Sequence, residues 1–284
     1  MRRTLAALAL LLASAATAQT AAVPIAPVQP QTIRQIKPML YVVEGAGGNS
    51  TVWVSDHGFI LVDDKIAGAA NFDNLVAAIR SVTPLPVRAA FNTHHHFDHV
   101  GNNAAFLAAG VPVIGTDALA AALAKTPGAA PPDLVFDHDF SIILDTGRAD
   151  AHHYRAGHTG GDAIVYFPAV RAVAIGGLAV TGTPTFDYAG GANIGGWIAT
   201  LNDVLKLDFD TAIPGRGPPM TKADIAGFRD RLATFRTRAQ AAVRGGATKA
   251  TLMSAIRVDD LGWAWHGAWP AARVDALWAE AGGR

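Results

Sequence analysis

The chain contains no cysteine among its 284 residues. No disulfide can form, so the burial of apolar side chains must supply the stability of the fold. The same absence excludes zinc sites with thiolate ligands and enzymes with a cysteine nucleophile. No Gly-x-Ser-x-Gly segment occurs, which disfavours a serine hydrolase. No Gly-x-Gly-x-x-Gly segment follows a predicted strand, which disfavours an enzyme that binds a dinucleotide.

Charged residues are few, at 16% of the sequence, and 23 Lys and Arg balance 23 Asp and Glu. This balance offers no basic patch, so we expect no nucleic-acid partner. The apolar stretch 163–180 is interrupted by Pro168 and Arg171. It therefore predicts two strands rather than a membrane span.

The first residues have the order of a secretory signal. Arg2 and Arg3 precede an Ala- and Leu-rich run that ends in Ala16-Thr17-Ala18. This order predicts a signal peptide over residues 1–18. The apolar run is too short for a permanent anchor. We therefore expect a periplasmic or secreted protein that does not associate with a membrane after signal cleavage.

The rest of the chain is predicted to form a leader, one main domain and an extension. Residues 19–37 are rich in Gln, Pro and Ala without periodicity, and predict a flexible leader. Residues 38–218 predict an α+β domain. Residues 219–284 predict a C-terminal helical extension, in which Thr221 and Asp224 resemble a capping box.

Within the main domain, strand and helix patterns succeed one another. Short runs rich in β-branched and aromatic residues predict strands at 39–43, 51–55, 59–63, 87–91, 111–115, 134–137, 140–144, 149–155, 162–167, 171–175 and 211–213. Apolar residues at helical spacing predict helices at 72–79, from Val100 to Gly110, after Thr116 and after Asn193.

Four of the ten histidines fall in the segment His94-His95-His96-Phe97-Asp98-His99, directly after a predicted strand. Positions 94, 96 and 98 can point the same way from an extended loop, whereas His95 would point away. A further candidate ligand is His158, in a tight loop between predicted strands. Three imidazoles leave a fourth tetrahedral position open, which is typical of a catalytic zinc site. The alternative is a solvated His-rich loop without a metal.

These motifs resemble those of the metallo-β-lactamase-fold hydrolases, a superfamily that includes zinc β-lactamases, glyoxalase II and lactonases. The resemblance covers roughly 38–218. It rests on Leu61-Val62-Asp63, Asn92 to His99, Gly157-His158-Thr159 with Asp162, and Pro214-Gly215-Arg216-Gly217-Pro218.

The resemblance implies a four-layer αβ/βα sandwich with its site at one edge. It also implies roles for individual residues. His94, His96 and His158 would hold a first metal ion, and Asp98 and His99 would hold a second. Asp63 and Thr159 would support these ligands without touching the metal.

The sequence departs from the family at two positions. Arg216 stands where the family usually has a histidine ligand, and Gly177 where many members have a metal-bridging aspartate. We therefore expect one tightly bound zinc ion and a second site that is weak or empty. The Arg216 guanidinium would replace the second cation beside Asp98, or bind a substrate carboxylate; the alternative is that it only reaches solvent. Substituting His for Arg216 and Asp for Gly177 together should restore a second metal site.

The function expected from these residues is zinc-dependent hydrolysis. A metal-bound hydroxide would attack the carbonyl of a small-molecule amide, lactam, lactone or ester. Asp98 would orient or deprotonate the water, and Arg216 would help to stabilise the oxyanion. The alternative is a catalytically silent member of the fold that binds a metal or ligand. Gly177 and Arg216 favour that alternative, whereas the intact set of three histidines favours an enzyme. The oligomeric state does not follow from the sequence.

Overall fold

The computed structural model describes residues 28–145, 147–265 and 267–283. The predicted signal peptide lies outside these residues, as does the first part of the predicted leader. Within the described ranges, no helix combines the length and the apolar character needed to cross a membrane.

One sheet contains seven strands that follow one another in sequence order. They are β1 (Thr32–Lys37), β2 (Leu40–Glu44), β3 (Ser50–Ser55), β4 (Gly58–Val62), β5 (Val87–Phe91), β6 (Val113–Thr116) and β7 (Leu134–Phe136). The first four pair antiparallel through short turns, whereas β4 to β7 pair in parallel. Neighbouring parallel strands end at the same edge of a sheet. The loops that follow β4 and β5 therefore lie side by side.

The second sheet contains six strands in the order β13-β12-β11-β10-β9-β8. They are β8 (Asp139–Leu144), β9 (Gly147–His152), β10 (Ile164–Phe167), β11 (Ala172–Val180), β12 (Thr211–Arg216) and β13 (Met220–Thr221). As expected, a break separates β10 from β11: a 3-10 turn at Pro168–Val170. Strands β11 and β12 pair in parallel, and the other neighbours pair antiparallel.

Helices connect and cover the two sheets. They are α1 (Ala69–Arg80), α2 (Asn103–Ala108), α3 (Asp117–Leu123), α4 (Ile194–Val204), α5 (Lys222–Arg244), α6 (Leu252–Ala255) and α7 (Ala271–Glu280). Thr116 and Asn193 cap α3 and α4 by accepting hydrogen bonds from backbone N–H groups of the first turn. The capping box predicted at Thr221 and Asp224 is present at the start of α5.

Among the described residues, three large apolar cores separate four layers, and a smaller one packs Leu119 and Leu123 of α3 against Val100. Trp53 of the first sheet and Phe167 of the second pack together between the sheets, with ring centroids 5.6 Å apart. Leu75 of α1 belongs to the core on the outer face of the first sheet. Trp197 of α4 and Phe228 of α5 belong to the core on the outer face of the second sheet. The mixed α and β architecture confirms the predicted fold class, and α5 packs on the same core as α4.

Several boundaries differ from the sequence predictions: β6, β9, β10 and β12 begin or end two or three residues away from the predicted positions. Three further differences have a physical cause in the structure. The leader predicted over 19–37 is wrong at its C-terminal end, because Thr32–Lys37 forms the edge strand β1. Its side chains are mostly exposed or half-buried, so no apolar alternation marks it. Helix α2 begins at Asn103 rather than Val100, since Gly101 donates a backbone hydrogen bond to Lys65 O instead. Strand β11 continues to Val180 beyond the predicted end, because it remains paired with β12.

Candidate metal centre

The predicted ligands come from loops at one edge of the two sheets. Asp63 directly follows β4, and the segment 94–99 follows β5, its parallel neighbour. His158 lies in the loop between β9 and β10, and Arg216 is the last residue of β12. The fold thus brings together residues more than 100 positions apart in the chain.

His94, His96 and His158 converge. One ring nitrogen from each lies within 4.8 Å of the corresponding nitrogen of the other two. His158 Nε2 lies 3.1 Å from His96 Nδ1. A tetrahedral zinc ion with Zn–N bonds of 2.0–2.1 Å separates its nitrogen ligands by about 3.3 Å. The spacing of this set, which we call the histidine triad, therefore fits one zinc ion.

The outward ring nitrogen of each triad histidine has a hydrogen-bond partner. His94 Nδ1 lies 2.9 Å from Thr93 Oγ1, and His158 Nδ1 lies 2.8 Å from the Thr185 carbonyl oxygen. His96 Nε2 lies 3.0 Å from Asp187 Oδ2. Donation from these outward nitrogens leaves the inward lone pairs free, which is the arrangement that orients metal-ligating histidines in proteins.

Burial also favours the neutral form of the triad imidazoles, which is the form that binds a metal ion. Desolvation and the neighbouring histidines hold the pKa of His94 well below its ordinary value. Burial lowers the pKa of His158 to about 3. Both rings are therefore neutral at pH 7, as a metal ligand must be. The pKa of Asp187 is lowered by hydrogen bonds from His95 and His96, which keeps this carboxylate ionised.

Sequence reasoning missed Asp187, Thr93 and Thr185. Asp187 follows β11 at no fixed spacing from the histidine segment, so no sequence signal identifies it. Thr93 lies within the motif Asn92 to His99, but the motif gives it no role of its own. Thr185 acts through its backbone, which carries no residue-type signal.

A second cluster lies beside the triad. Arg216 Nη2 donates to Asp98 Oδ2, which is also 3.4 Å from His99 Nε2. His99 Nδ1 donates to Asp63 Oδ2 over 2.7 Å. Asp63 also accepts from the backbone N–H and the hydroxyl of Thr93, both at 2.8 Å. Asp63 therefore orients His99 directly and His94 through Thr93.

This second cluster does not fit a second metal ion as well as the triad fits the first. The Arg216 guanidinium carries the positive charge next to Asp98. A Cβ atom at Gly177 would lie 2.1 Å from His158 Cδ2. An aspartate at 177 would thus displace a triad ligand, and the double substitution expected to restore a second site is unsuitable in this backbone.

His95 and Thr159 lie outside the triad. His95 Nε2 is 3.2 Å from Asp187 Oδ2, so its ring joins His96 on that carboxylate. Thr159 donates its backbone N–H and its hydroxyl to Asp162, at 2.8 and 2.7 Å. These bonds fix the loop that carries His158. Burial raises the pKa of Asp162 to about 7.

In the part of the chain that the structure describes, triad side chains line a small and a larger cavity. A small one of about 80 Å³ is lined by His94, His158 and Arg216, together with Thr183. The other, of about 310 Å³, is lined by His96 and by apolar side chains: Ile66, Phe97, Val100 and Leu123. Phe97 is 73% exposed, unusually high for a phenylalanine. Triad residues thus border a small cavity next to Arg216 and a larger cavity with a mainly apolar lining, which we call the small cavity and the apolar cavity.

Comparisons with known proteins identify relatives of this fold. A family model for the metallo-beta-lactamase superfamily matches residues 44–216. Among solved structures, a metallo-beta-lactamase from Pontibacter korlensis is 18% identical; the match covers 72% of this chain and 99% of that one, with a TM-score of 0.64. The DIM-1 metallo-beta-lactamase is 16% identical, with coverages of 72% and 98% and a TM-score of 0.64.

A double mutant of the sec-alkyl sulfatase PisA1 is also similar. It is 18% identical, and the match covers 89% of this chain and 50% of that one, with a TM-score of 0.72. At these identities, the three structures show a shared fold.

Proposed function

The chain belongs to the metallo-beta-lactamase superfamily, and we propose that it is an exported zinc-dependent hydrolase acting on a small molecule with a reactive carbonyl group. Membership of a superfamily rich in hydrolases supports hydrolysis. The observation that carries the proposal is the histidine triad, whose three inward nitrogens fit one tetrahedral ion. Residues 1–18 supply the signal for export to the periplasm or the medium.

His94, His96 and His158 would hold the ion. A zinc ion at such a site supplies Lewis acidity, which polarises a carbonyl and makes water a nucleophile at neutral pH. Neutral imidazoles with fixed orientations are the contribution of the chain to this chemistry.

Asp98 and Arg216 act on the substrate and the attacking water. The Asp98 carboxylate is 2% exposed and can accept a hydrogen bond or a proton from water beside the triad. The Arg216 side chain is 58% exposed and donates to Asp98 through Nη2, so its remaining N–H groups can reach the small cavity that Arg216 lines. There they would stabilise a developing oxyanion or bind a substrate carboxylate.

The apolar cavity narrows the substrate class. Its volume of about 310 Å³ is roughly twice that of an engineered apolar cavity that binds benzene. We infer an ester, lactone or lactam with an uncharged apolar group that fills the space beside Phe97. An alkyl sulfate is a second candidate, because the match to the sec-alkyl sulfatase covers more of this chain than the matches to the lactamases do.

Metal analysis and a substrate panel test the proposal. The purified mature chain should hold one zinc ion, and a chelator should abolish hydrolysis. The panel combines a chromogenic lactam, nitrophenyl esters of increasing acyl length and an alkyl sulfate. His158→Ala should lose zinc and activity, whereas His138→Ala, at a side chain 74% exposed, should keep both.

The outcomes separate the alternatives. Two tightly held zinc ions would contradict the single-site interpretation, and a chain that takes up no zinc would overturn the proposal. One zinc ion without turnover of any substrate would favour the catalytically silent member of the fold.

A further inference from the structure

The segment 183–188 supplies acceptors to two of the three triad histidines. The Thr185 carbonyl oxygen lies 2.8 Å from His158 Nδ1, and Asp187 Oδ2 lies 3.0 Å from His96 Nε2. The segment lies between β11 and α4, in neither a helix nor a strand. Because no regular hydrogen-bond ladder fixes it, contacts of its other side chains must hold these two acceptors in place.

Those other side chains contact the C-terminal part of the chain. The Phe186 ring is fully buried and stacks on Phe235 of α5, with ring centroids 5.2 Å apart. The Trp269 ring, just before α7, has its centroid 5.7 Å from that of Phe186. The Tyr188 hydroxyl donates to Glu280 Oε2, at the end of α7, over 3.0 Å. Residues that support the triad therefore alternate with residues that the C-terminal helices hold.

The Glu280 carboxylate makes a second contact, at the start of α4. Its Oε1 accepts from the Gly195 backbone N–H over 2.9 Å. Gly195 lies in the first turn of α4, where unpaired N–H groups and the helix dipole favour a carboxylate. Asn193 N–H donates to Gly157 O over 2.9 Å, next to His158. The turn that holds Glu280 is thus itself attached to the loop that carries His158.

The hydrogen bond between Tyr188 and Glu280 joins a neutral donor to a charged acceptor. Burial and the Glu280 carboxylate raise the pKa of Tyr188, so its hydroxyl keeps the proton that it donates. Both side chains are half-buried. A hydrogen bond to an ionised group is stronger than one between neutral groups. The contact therefore fixes the backbone beside Asp187 more firmly than a neutral pair would.

We propose that Glu280 is a positioning residue of the metal centre. Its carboxylate is fixed by the Gly195 N–H and holds the Tyr188 hydroxyl. This contact keeps Asp187, the neighbour of Tyr188, at hydrogen-bonding distance from His96. Helix α7 thus contributes to metal binding without supplying a ligand. The inference rests on the proposed function, because it takes the histidine triad as the zinc site.

The zinc affinity of the purified mature chain, measured by competition with a chromogenic chelator, tests this role. Glu280→Ala removes the acceptor from Tyr188 and Gly195, and Tyr188→Phe removes only the hydroxyl. Glu280→Gln is the conservative variant, because its amide oxygen can accept from the Gly195 N–H while its amide nitrogen donates to the Tyr188 oxygen. Asp275→Ala, at a side chain of α7 that is 53% exposed and paired with Lys249, is the matched control.

We expect Glu280→Ala and Tyr188→Phe each to weaken zinc binding about tenfold, the lower end of the cost of losing an outer partner of a metal ligand. The double variant should lose no more than either single variant, because both changes break the same hydrogen bond. Glu280→Gln and Asp275→Ala should stay within about threefold of the wild-type affinity, since both keep the contact.

Wild-type zinc affinity of Glu280→Ala or of Tyr188→Phe would overturn the inference. A fall in the free energy of unfolding of the metal-free chain without a change in zinc affinity would show that the contact is merely structural. Additive losses in the double variant would also overturn it. If Glu280→Ala does not fold, judged by circular dichroism, Tyr188→Phe decides by the same criterion. Failure of both variants to fold would assign the contact to folding and overturn the proposal.

The wild-type chain separates this test from the proposed function. If the wild-type chain binds no zinc, the zinc assignment fails. If it binds one ion and the variants at 188 and 280 bind zinc as tightly, only the inference about Glu280 fails.

Discussion

At the scale of single residues, the candidate zinc site depends on groups that do not touch the ion. Asp63 accepts hydrogen bonds from His99 and Thr93, and Thr93 in turn lies against His94. Asp187 holds His96 from the opposite side. Asp63 and Asp187 thus determine which ring nitrogen of His94, His96 and His99 faces inward, and the Thr185 carbonyl oxygen does the same for His158.

Asp187→Asn should weaken zinc binding. The amide has no charge, and it cannot accept from His95 and His96 as the carboxylate does. Loss of such a partner costs about 10–100-fold in metal affinity. Competition with a chromogenic chelator measures the change. Asp208→Asn, at a side chain 73% exposed and paired with Arg171, serves as the control and should leave the affinity unchanged. Equal affinities for both variants would contradict the role of Asp187.

Lys65 should make stability depend on pH above neutrality. Burial lowers its pKa to about 7, below the value of about 10.4 in an unfolded chain. Between these values the unfolded state binds the proton that the folded state lacks, so the free energy of unfolding rises with pH. From pH 7 to 9 this contribution is about 2 kcal/mol.

Lys65→Met should remove that rise. Urea unfolding at pH 7, 8 and 9, with chelator present, measures the free energy of unfolding of the wild-type chain and the variant. The difference between the two should grow with pH, and Lys206→Met should run parallel to the wild-type chain. A constant difference between the wild-type chain and Lys65→Met would rule out a depressed Lys65 pKa.

At the scale of elements, the site is made by strand ends. Strands β4 and β5 are buried parallel neighbours, so Asp63 and His94 must emerge at the same edge. Strand β12 runs parallel to β11, and the pair brings Arg216 opposite Val180. Side-chain caps fix the first turns of three of the helices, α3, α4 and α5.

Thr221→Ala should destabilise the chain by about 1 kcal/mol, because it removes the cap from the first turn of α5. Thr237→Ala in the same helix is the matched control. The Thr237 hydroxyl donates back to Ala233 O on the exposed face, and alanine has the higher helix propensity. Thr237→Ala should therefore be neutral or stabilising in urea unfolding. Equal losses of unfolding free energy in the two variants would mean that the capping box does not stabilise the chain.

At the scale of the whole molecule, the C-terminal helices share a core with the main domain. Phe228 and Phe235 of α5 are fully buried in the cluster that contains Trp197 and Ile175. Phe235 also stacks on Phe186, with ring centroids 5.2 Å apart. Side-chain packing therefore continues across residue 218, where the sequence predicts a domain boundary.

A chain that ends at Pro218 should not fold cooperatively. Its second sheet would lose the cover of α5 and expose the core around Trp197 and Phe186 to water. Near-ultraviolet circular dichroism and thermal unfolding, compared with the mature full-length chain, measure the effect. A sharp thermal transition of the shortened chain would show that residues 38–218 are an independent domain.

The sequence alone predicts those features whose pattern lies within a few neighbouring residues. The histidines at alternate positions of one loop, and the capping residues Thr116, Asn193 and Thr221, form patterns within a few residues. The apolar runs predict most of the strands of both sheets. Such patterns arise because backbone geometry repeats over two to four residues, so they are readable without knowledge of the fold.

Only the tertiary structure determined the contacts between residues that are far apart in the sequence. Strand β1 forms because β2 offers it an edge, and Asp187 reaches His96 across 91 positions. The ion pair of Arg216 with Asp98 spans 118 positions. The buried Lys65 ammonium finds its acceptors in the carbonyl oxygens of Val43, in β2, and Gly48, in the turn that follows β2. Packing brings these groups together, and no short-range pattern records which distant groups will meet.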